Sequence, residues 1–384
     1  MARKFHIQPF DEGTLVKLEL LKLYIRSWLH VFISAKEVFW KDIYIYDFFS
    51  GAGTDSKGKP GSPLIILNEL RGHCPAIIEK GLKVRLLFNE PKSDVLDNLK
   101  KKVSDFFVEC RAKSEFQCCD KCSTDDNCPF IVKIEQNEFK PLFLEIYPYM
   151  ERKPSLPRFM FLDQFGIKEI TENIFKKLTS LNRTDFLFFI SSSFVRRFSE
   201  LEEFSQYLKV EKEDFDESRP GHCHRIILEY YKKMVKNPDY YLAPFSIRKV
   251  ANIYGLIFGS NNPHGMEKFL DAAWAIDKNT GEANFNIDND KIIDGQLSIF
   301  PDENKIKKVD LFERNLLQWL TEEERTNEEI YFFTLSSGMR KTHAMDILRK
   351  NVSSLKITTT DKIRKGYFYL GYKPDKHLKI KKNE

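Results

Sequence analysis

"IYIYDFFSGAGTDSKGKPGSPLIILNEL", residues 43–70, runs from an unbroken apolar stretch through a glycine cluster into a second apolar stretch. Residues 43–49 show almost no polar alternation, as a strand buried on both faces would. "GSPLIILNEL" begins like a helix, with Ser62 as N-cap and Pro63 in the first turn. A bland turn needs one glycine. Here Gly51, Gly53, Gly58 and Gly61 separate strand from helix, and Asp47 is set inside the strand itself. A glycine-rich turn lets a ligand approach the backbone, and the helix behind it offers unpaired N–H groups. A plain tight turn is the alternative.

The flanking segments repeat the alternation. "LVKLELLKLYIRSWLHVF" (15–32) reads as an amphipathic helix, with Leu18, Leu21, Ile25, Trp28 and Phe32 on one stripe. "LKVRLLFNE" (82–90), "RFMFLDQFG" (158–166) and "DFLFFISSS" (185–193) read as further strands. "LAPFSIRKVANIYGLIFGS" (242–260) reads as two strands with a tight connection. Strands alternating with helices predict a parallel α/β sheet with helices on both faces, its ligand site at the carboxyl ends of the strands.

Glu90 ends the second strand, where a carboxylate can accept from both hydroxyls of a ribose. Asp47, "SGAG" and Glu90 together fit an adenosine-type cofactor. The lysine-serine pair of a P-loop is missing, and "SGAGTD" is not G-x-G-x-x-G. S-adenosylmethionine carries no phosphate, so close backbone approach plus an acid suffices. Asp47, Gly51, Gly53 and Glu90 are therefore the cofactor-binding candidates. Asp163 and Gln164 close the strand at 158–162. Asp163 would accept from a target amine while Phe165 stacks on the target base. Gln164 stands where many amino-group methyltransferases carry proline, and an ordinary strand end is the alternative.

The order "QPF…GTLVKLELLKLYIRSWL", "YIYDFFSGAG", "PGSPLIILNEL", "FNEPKSDVLDNLK" and "FMFLDQFG" resembles the three-Cys-motif partner proteins, a bacterial group with a methyltransferase-like domain. Asp47, Phe49, Gly51, Gly53, Gly61, Ser62, Pro63, Glu90, Asp163, Phe165 and Gly166 fall on that pattern. Ser50 and Gln164 depart from it, and the family's early His-Thr pair is reduced to Thr14 and Lys17. The similarity covers roughly residues 5 to 275. It implies a Rossmann-like fold, S-adenosylmethionine binding and a partner protein carrying three cysteines. It does not imply a substrate.

Composition changes after about residue 278, where "DKNTGEANFNIDNDK" reads as a linker. The expected organisation is a methyltransferase-like α/β domain over 1–278, a linker over 279–308 and a further domain over 309–384. In the last, three helices precede "LKITTTDKIRKGYFYLGYK", read as a hairpin; that is the order of a winged helix-turn-helix. Arg340, Lys341 and Lys350 fall on its recognition helix, and Lys362, Arg364 and Lys365 on its wing. Arg196 and Arg197 follow the strand at 185–193. These basic residues are the nucleic-acid-binding candidates; a solvated helix face is the alternative for the arginine pair, and a protein-docking module the alternative for the winged helix.

The chain nets +5 from 61 basic and 56 acidic residues, which suits a nucleic-acid partner without requiring one. No apolar run reaches the roughly 20 residues of a membrane span, and "MARKFHIQPFDEG" lacks the apolar core of a signal peptide. A cytoplasmic location is expected. The 7 cysteines are then thiols or metal ligands. A Cys-rich insertion near 110–128 contains Cys110, Cys119, Cys122 and Cys128, a candidate structural zinc set; a reduced-thiol loop is the alternative. "GHCHR" places His222, Cys223 and His224 together, either near a metal or at a polar helix start. The reading as a whole is an S-adenosylmethionine-dependent methyltransferase acting on nucleic acid with a partner protein. The alternatives are a non-catalytic S-adenosylmethionine-binding scaffold and a ligand-sensing DNA-binding regulator.

Overall fold

The computed structural model describes residues 8–35, 37, 39–112, 128–164, 166–191, 223–249, 252–287, 307–364 and 366–383. The chain divides into two compact units, Met1–Asn261 and Asn262–Glu384.

The first unit is built on a mixed seven-stranded sheet. Its elements in chain order are α1 (Glu12–Ile33), β1 (Asp42–Asp47), α2 (Ser62–Gly72), α3 (Cys74–Glu79), β2 (Lys83–Asn89), α4 (Ser93–Ala112) and β3 (Phe130–Glu135). They continue with α5 (Phe139–Glu151), β4 (Arg158–Leu162), α6 (Glu172–Ser180), β5 (Thr184–Ile190), α7 (Cys223–Lys232), β6 (Tyr241–Lys249) and β7 (Asn252–Ser260). The spatial order is β3-β2-β1-β4-β5-β7-β6. β1 to β5 are parallel, and β7 runs antiparallel to both β5 and β6. This is a Rossmann-like α/β sheet. The chain winds outward in one direction from β1 through β3 and in the other from β4, so the switch point lies between the carboxyl ends of β1 and β4.

The apolar stripe on α1 is buried as its spacing predicts: Leu18, Leu21, Ile25, Trp28 and Phe32 all face the core. One polar network fastens that helix to the sheet. The Tyr24 hydroxyl donates to Asp185 Oδ2 at 2.7 Å, and Ser260 Oγ donates to Oδ1 at 2.5 Å. Burial pushes the Asp185 carboxyl up to about 6 even with these donors. β3, "FIVKIE", escapes a reading that looks for apolar runs. Among the described residues it is an edge strand paired with β2 alone, and Ile131 and Lys133 do not face the core.

The second unit holds α8 (Pro263–Ile276), α9 (Lys308–Glu322), β8 (Arg325–Thr326), α10 (Asn327–Ser336), α11 (Lys341–Lys350), β9 (Leu355–Thr358) and β10 (Lys379–Lys382). Its strands form a three-stranded antiparallel sheet in the order β8-β10-β9. Helix α8 packs with this unit, although the composition shift falls after it. The Trp274 indole N–H donates to Gly338 O at 3.0 Å, and Tyr331 donates to Glu267 at 2.7 Å. The hairpin differs from the sequence reading. β9 pairs with residues 379–382, and not with the aromatic run at 367–372. Gly366 and Tyr369 have φ of 71° and 51°, a left-handed backbone that no strand contains. The fully buried Asn327 side chain holds this connection, donating to Tyr369 O and Lys376 O at 2.9 and 2.8 Å.

Candidate active site

The glycine turn after β1 is fixed by backbone bonds to the end of β2. Ser50 N–H donates to Asn89 O at 2.9 Å, and the buried Asn89 amide donates to Phe48 O at 3.1 Å and Asn137 O at 2.8 Å. Gly51 and Gly53 have φ of 61° and 82°, which side-chain-bearing residues rarely adopt. Gly61 N–H closes the turn onto Gly53 O at 2.8 Å, and a Cβ on Gly61 would stand 3.2 Å from that oxygen. The glycines are therefore needed by the turn's own geometry; Gly51 stays half-buried, while Gly53 is buried against the Leu99 and Lys102 side chains of α4.

Glu90 sits against this turn. Its Oε2 accepts from Gly51 N–H at 3.2 Å and its Oε1 from Lys92 N–H at 3.1 Å. A carboxylate has about four lone-pair positions, so two remain after these bonds. Gly51 and Glu90 are thus brought together.

Asp47 ends β1 at the switch point and is fully buried. Its Oδ1 accepts from Phe49 N–H at 3.3 Å, and its Oδ2 has no hydrogen-bond partner. Burial raises its carboxyl to about 7. The Ser62 hydroxyl and the Phe49 amide favour the charged form without offsetting that cost, and the Asp163 charge adds to it. Ser62 is near because α2 begins at Ser62 with Gly61 as N-cap, one residue earlier than the sequence suggests. The Ser62 hydroxyl is close enough to favour the charged form, yet it makes no hydrogen bond of normal geometry to Oδ2, and a buried carboxylate oxygen left in that state is costly. A cationic or N–H group supplied by a ligand would satisfy it.

Asp163 follows the last residue of β4, across the switch point from Asp47. Its Oδ2 is ion-paired with the Lys17 ammonium of α1. The same Nζ lies 4.8 Å from the centroid of the Phe189 ring. The sequence shows Lys17 only as a departure from a family pattern. Its signal is in the helix spacing: Lys17, Leu21, Tyr24 and Trp28 share a stripe, so this lysine points with the apolar face. Gln164 is buried and folds back on the following loop, its Oε1 accepting from Glu169 N–H at 3.0 Å and Ile170 N–H at 3.2 Å. A side-chain amide thus fixes the loop where proline was the expected residue.

Phe165, Arg196, Arg197, Cys119 and Cys122 lie outside the described residues, as do Lys365 and His222. Cys110 is in the last turns of α4 and Cys128 stands just ahead of β3. Among the described residues no group of three or more His, Cys, Asp or Glu side chains gathers as a metal site.

The basic candidates of the second unit are not equivalent. Lys341 Nζ is 2.8 Å from Oε1 of Glu267, which is buried and also accepts from Tyr331. Against the cost of burial, the Lys341 ammonium helps hold the Glu267 carboxyl below its ordinary range. Arg340 lies 5.9 Å from the Trp274 ring centroid and 3.2 Å from His343 Nε2. Lys350 is exposed and paired with Glu313 at 3.0 Å.

No family model matches the chain, and no curated protein matches it. Among solved structures it is similar to Trm1 from Pyrococcus horikoshii in complex with S-adenosyl-L-methionine. That match has 9% identity and a TM-score of 0.39, over 68% of this chain and 59% of Trm1. It is similar to the METTL16 MTase domain at 11% identity and a TM-score of 0.30, over 63% of this chain and 83% of that one. It is also similar to the O-methyltransferase TomG from Streptomyces achromogenes at 9% identity and a TM-score of 0.32, over 66% and 91% of the two chains. The chain thus spans about three fifths of the length of Trm1.

Proposed function

We propose that the chain is an S-adenosylmethionine-dependent methyltransferase acting on nucleic acid. The observation that carries the reading is the buried Asp47 Oδ2 that makes no hydrogen bond, at the switch point beside the glycine turn. Asp47 would receive the ammonium of the cofactor's methionyl end, and the backbone of Gly51 and Gly53 would line it. Glu90 would accept from the ribose through the lone pairs that Gly51 and Lys92 leave. The cofactor supplies the methyl group. The chain's own part is positioning: Asp163 would orient a target amine through the oxygen that Lys17 does not hold, with Phe165 stacking on the base. The helix and strand order of the second unit supports a winged helix-turn-helix, with the three-cysteine partner docking on the assembly. Cys110, Cys119, Cys122 and Cys128 would hold a structural zinc, which elemental analysis of protein purified without chelator decides.

The second reading, a scaffold that binds S-adenosylmethionine without turnover, is favoured by Gln164, which stands in place of proline with its Oε1 holding the loop at 169–170. Two measurements separate the readings. Titration calorimetry with S-adenosylmethionine and S-adenosylhomocysteine tests the site. Transfer of a labelled methyl group to total RNA and to DNA tests turnover. Binding of both cofactor forms with no transfer supports the scaffold; binding of neither rejects both. Glu90→Ala should weaken cofactor binding by about 1–3 kcal/mol, the loss of a charged hydrogen-bonding partner.

A further inference from the structure

Residues 355–384 contain nine Lys or Arg against three Asp or Glu, a net of +6 where the whole chain nets +5. The strands sort part of this charge onto one face. Leu378, just ahead of β10, and Ile380 within it are buried, while Lys379 is exposed and Lys381 half-buried; along β9, Leu355 is buried while Lys356 is exposed. The register sets Lys381 directly opposite Lys356 and Lys379 opposite Thr358. Like charges directly opposite in a ladder destabilise it. Among the described residues no carboxylate pairs with Lys356, Lys379 or Lys381. Two carboxylates border this face and are engaged by hydroxyls: Glu329, lowered first by the Thr326 backbone N–H and in part by the Lys379 charge, by Thr326 in the α10 cap, and Glu324 by Thr358 at 2.9 Å. The connection between the strands adds exposed Lys362, Arg364 and Lys373 and an exposed Tyr367. On α11, by contrast, Lys341 and Lys350 already have acidic partners.

We infer that the face carrying Lys356, Lys379 and Lys381, more than helix α11, is where the second unit docks nucleic acid, and that it grips the phosphodiester backbone whatever the sequence. The inference rests on the nucleic-acid reading above and specifies its surface. A phosphate between Lys356 and Lys381 turns their repulsion into two attractions. Lysine presents a point charge, and within β9 and β10 themselves no Arg, Asn or Gln stands ready to read base edges. Such contacts position a strand without specifying it. The surface thus supplies affinity, and target choice is left to other parts of the molecule.

The test uses the full chain and fluorescence anisotropy on labelled 20-mers, duplex DNA and single-stranded RNA, each in two unrelated sequences, across a salt series. The Lys356→Gln/Lys379→Gln/Lys381→Gln variant should flatten the slope of log affinity against log salt on duplex by about 2–3 units, at roughly 0.9 per phosphate contact. The loss should be equal for both sequences. Urea unfolding should find the variant at least as stable as the parent, because a repulsion has been removed. A parental slope, a loss confined to one sequence, or a larger drop from Lys350→Gln alone overturns the inference. So does a parent that binds phosphatidylserine vesicles and neither nucleic acid. Cofactor calorimetry on the parent is independent of these arms, so failure of the methyltransferase reading is recorded separately.

Discussion

The Lys17 ammonium is ion-paired with the Asp163 carboxylate across 146 positions of sequence. The pair ties the first helix to the residue that follows β4. It puts a cation at the carboxyl edge of the sheet, on the side of the switch point opposite Asp47. One oxygen of Asp163 is therefore already engaged.

Lys17→Met should destabilise the first unit by about 1–3 kcal/mol in urea unfolding, because it leaves a largely buried carboxylate without its partner. Lys17→Arg should lose less. The double variant Lys17→Met/Asp163→Asn should recover part of the loss. Strictly additive effects in that cycle would mean that the pair contributes no coupling.

Asp47 makes stability depend on pH in a stated direction. Its carboxyl is near 3.8 when unfolded and about 7 when buried. The folded state then holds more protons than the unfolded state between these values, so stability falls as pH rises through that window and levels off above it. Asp47→Asn should remove this slope. At pH 8 it should be more stable than the parent by roughly 2–4 kcal/mol, about 1.4 per pKa unit. It should also lose cofactor binding. A variant with the parental pH profile would place the titration elsewhere.

Gln164 fastens the loop at 169–170 through its Oε1. Gln164→Leu keeps the bulk but leaves two backbone N–H groups without an acceptor, at a cost of about 1–3 kcal/mol each where buried. Its thermal midpoint should drop by several degrees. If Leu is tolerated without change, the amide serves something other than the loop.

Lys341 and Lys350 should respond differently to the same change. Lys341→Gln withdraws the ammonium from the buried Glu267 and should destabilise the second unit by about 1–3 kcal/mol. Lys350→Gln breaks an exposed pair worth at most about 1 kcal/mol. Chemical denaturation of the two variants compares them directly, and equal losses would contradict the assigned role of Glu267.

The sequence by itself determined the alternation of strands and helices, the glycine turn after β1 and the buried stripe of α1. Those depend on local periodicity and on backbone conformations that only glycine adopts readily, and a single segment displays both. It also singled out Asp47, Glu90 and Asp163 as acids at strand ends, since where a strand stops is a local property. Only the tertiary structure decided what those acids touch. The Lys17–Asp163 pair, the Asn89 bonds that hold the turn, and the oxygen of Asp47 left without a donor arise from strand order, which brings distant segments to one edge. Edge strand β3 and the late partner of β9 were hidden for the same reason: a strand paired on one side needs little apolar pattern of its own, and its register is set by the strand beside it.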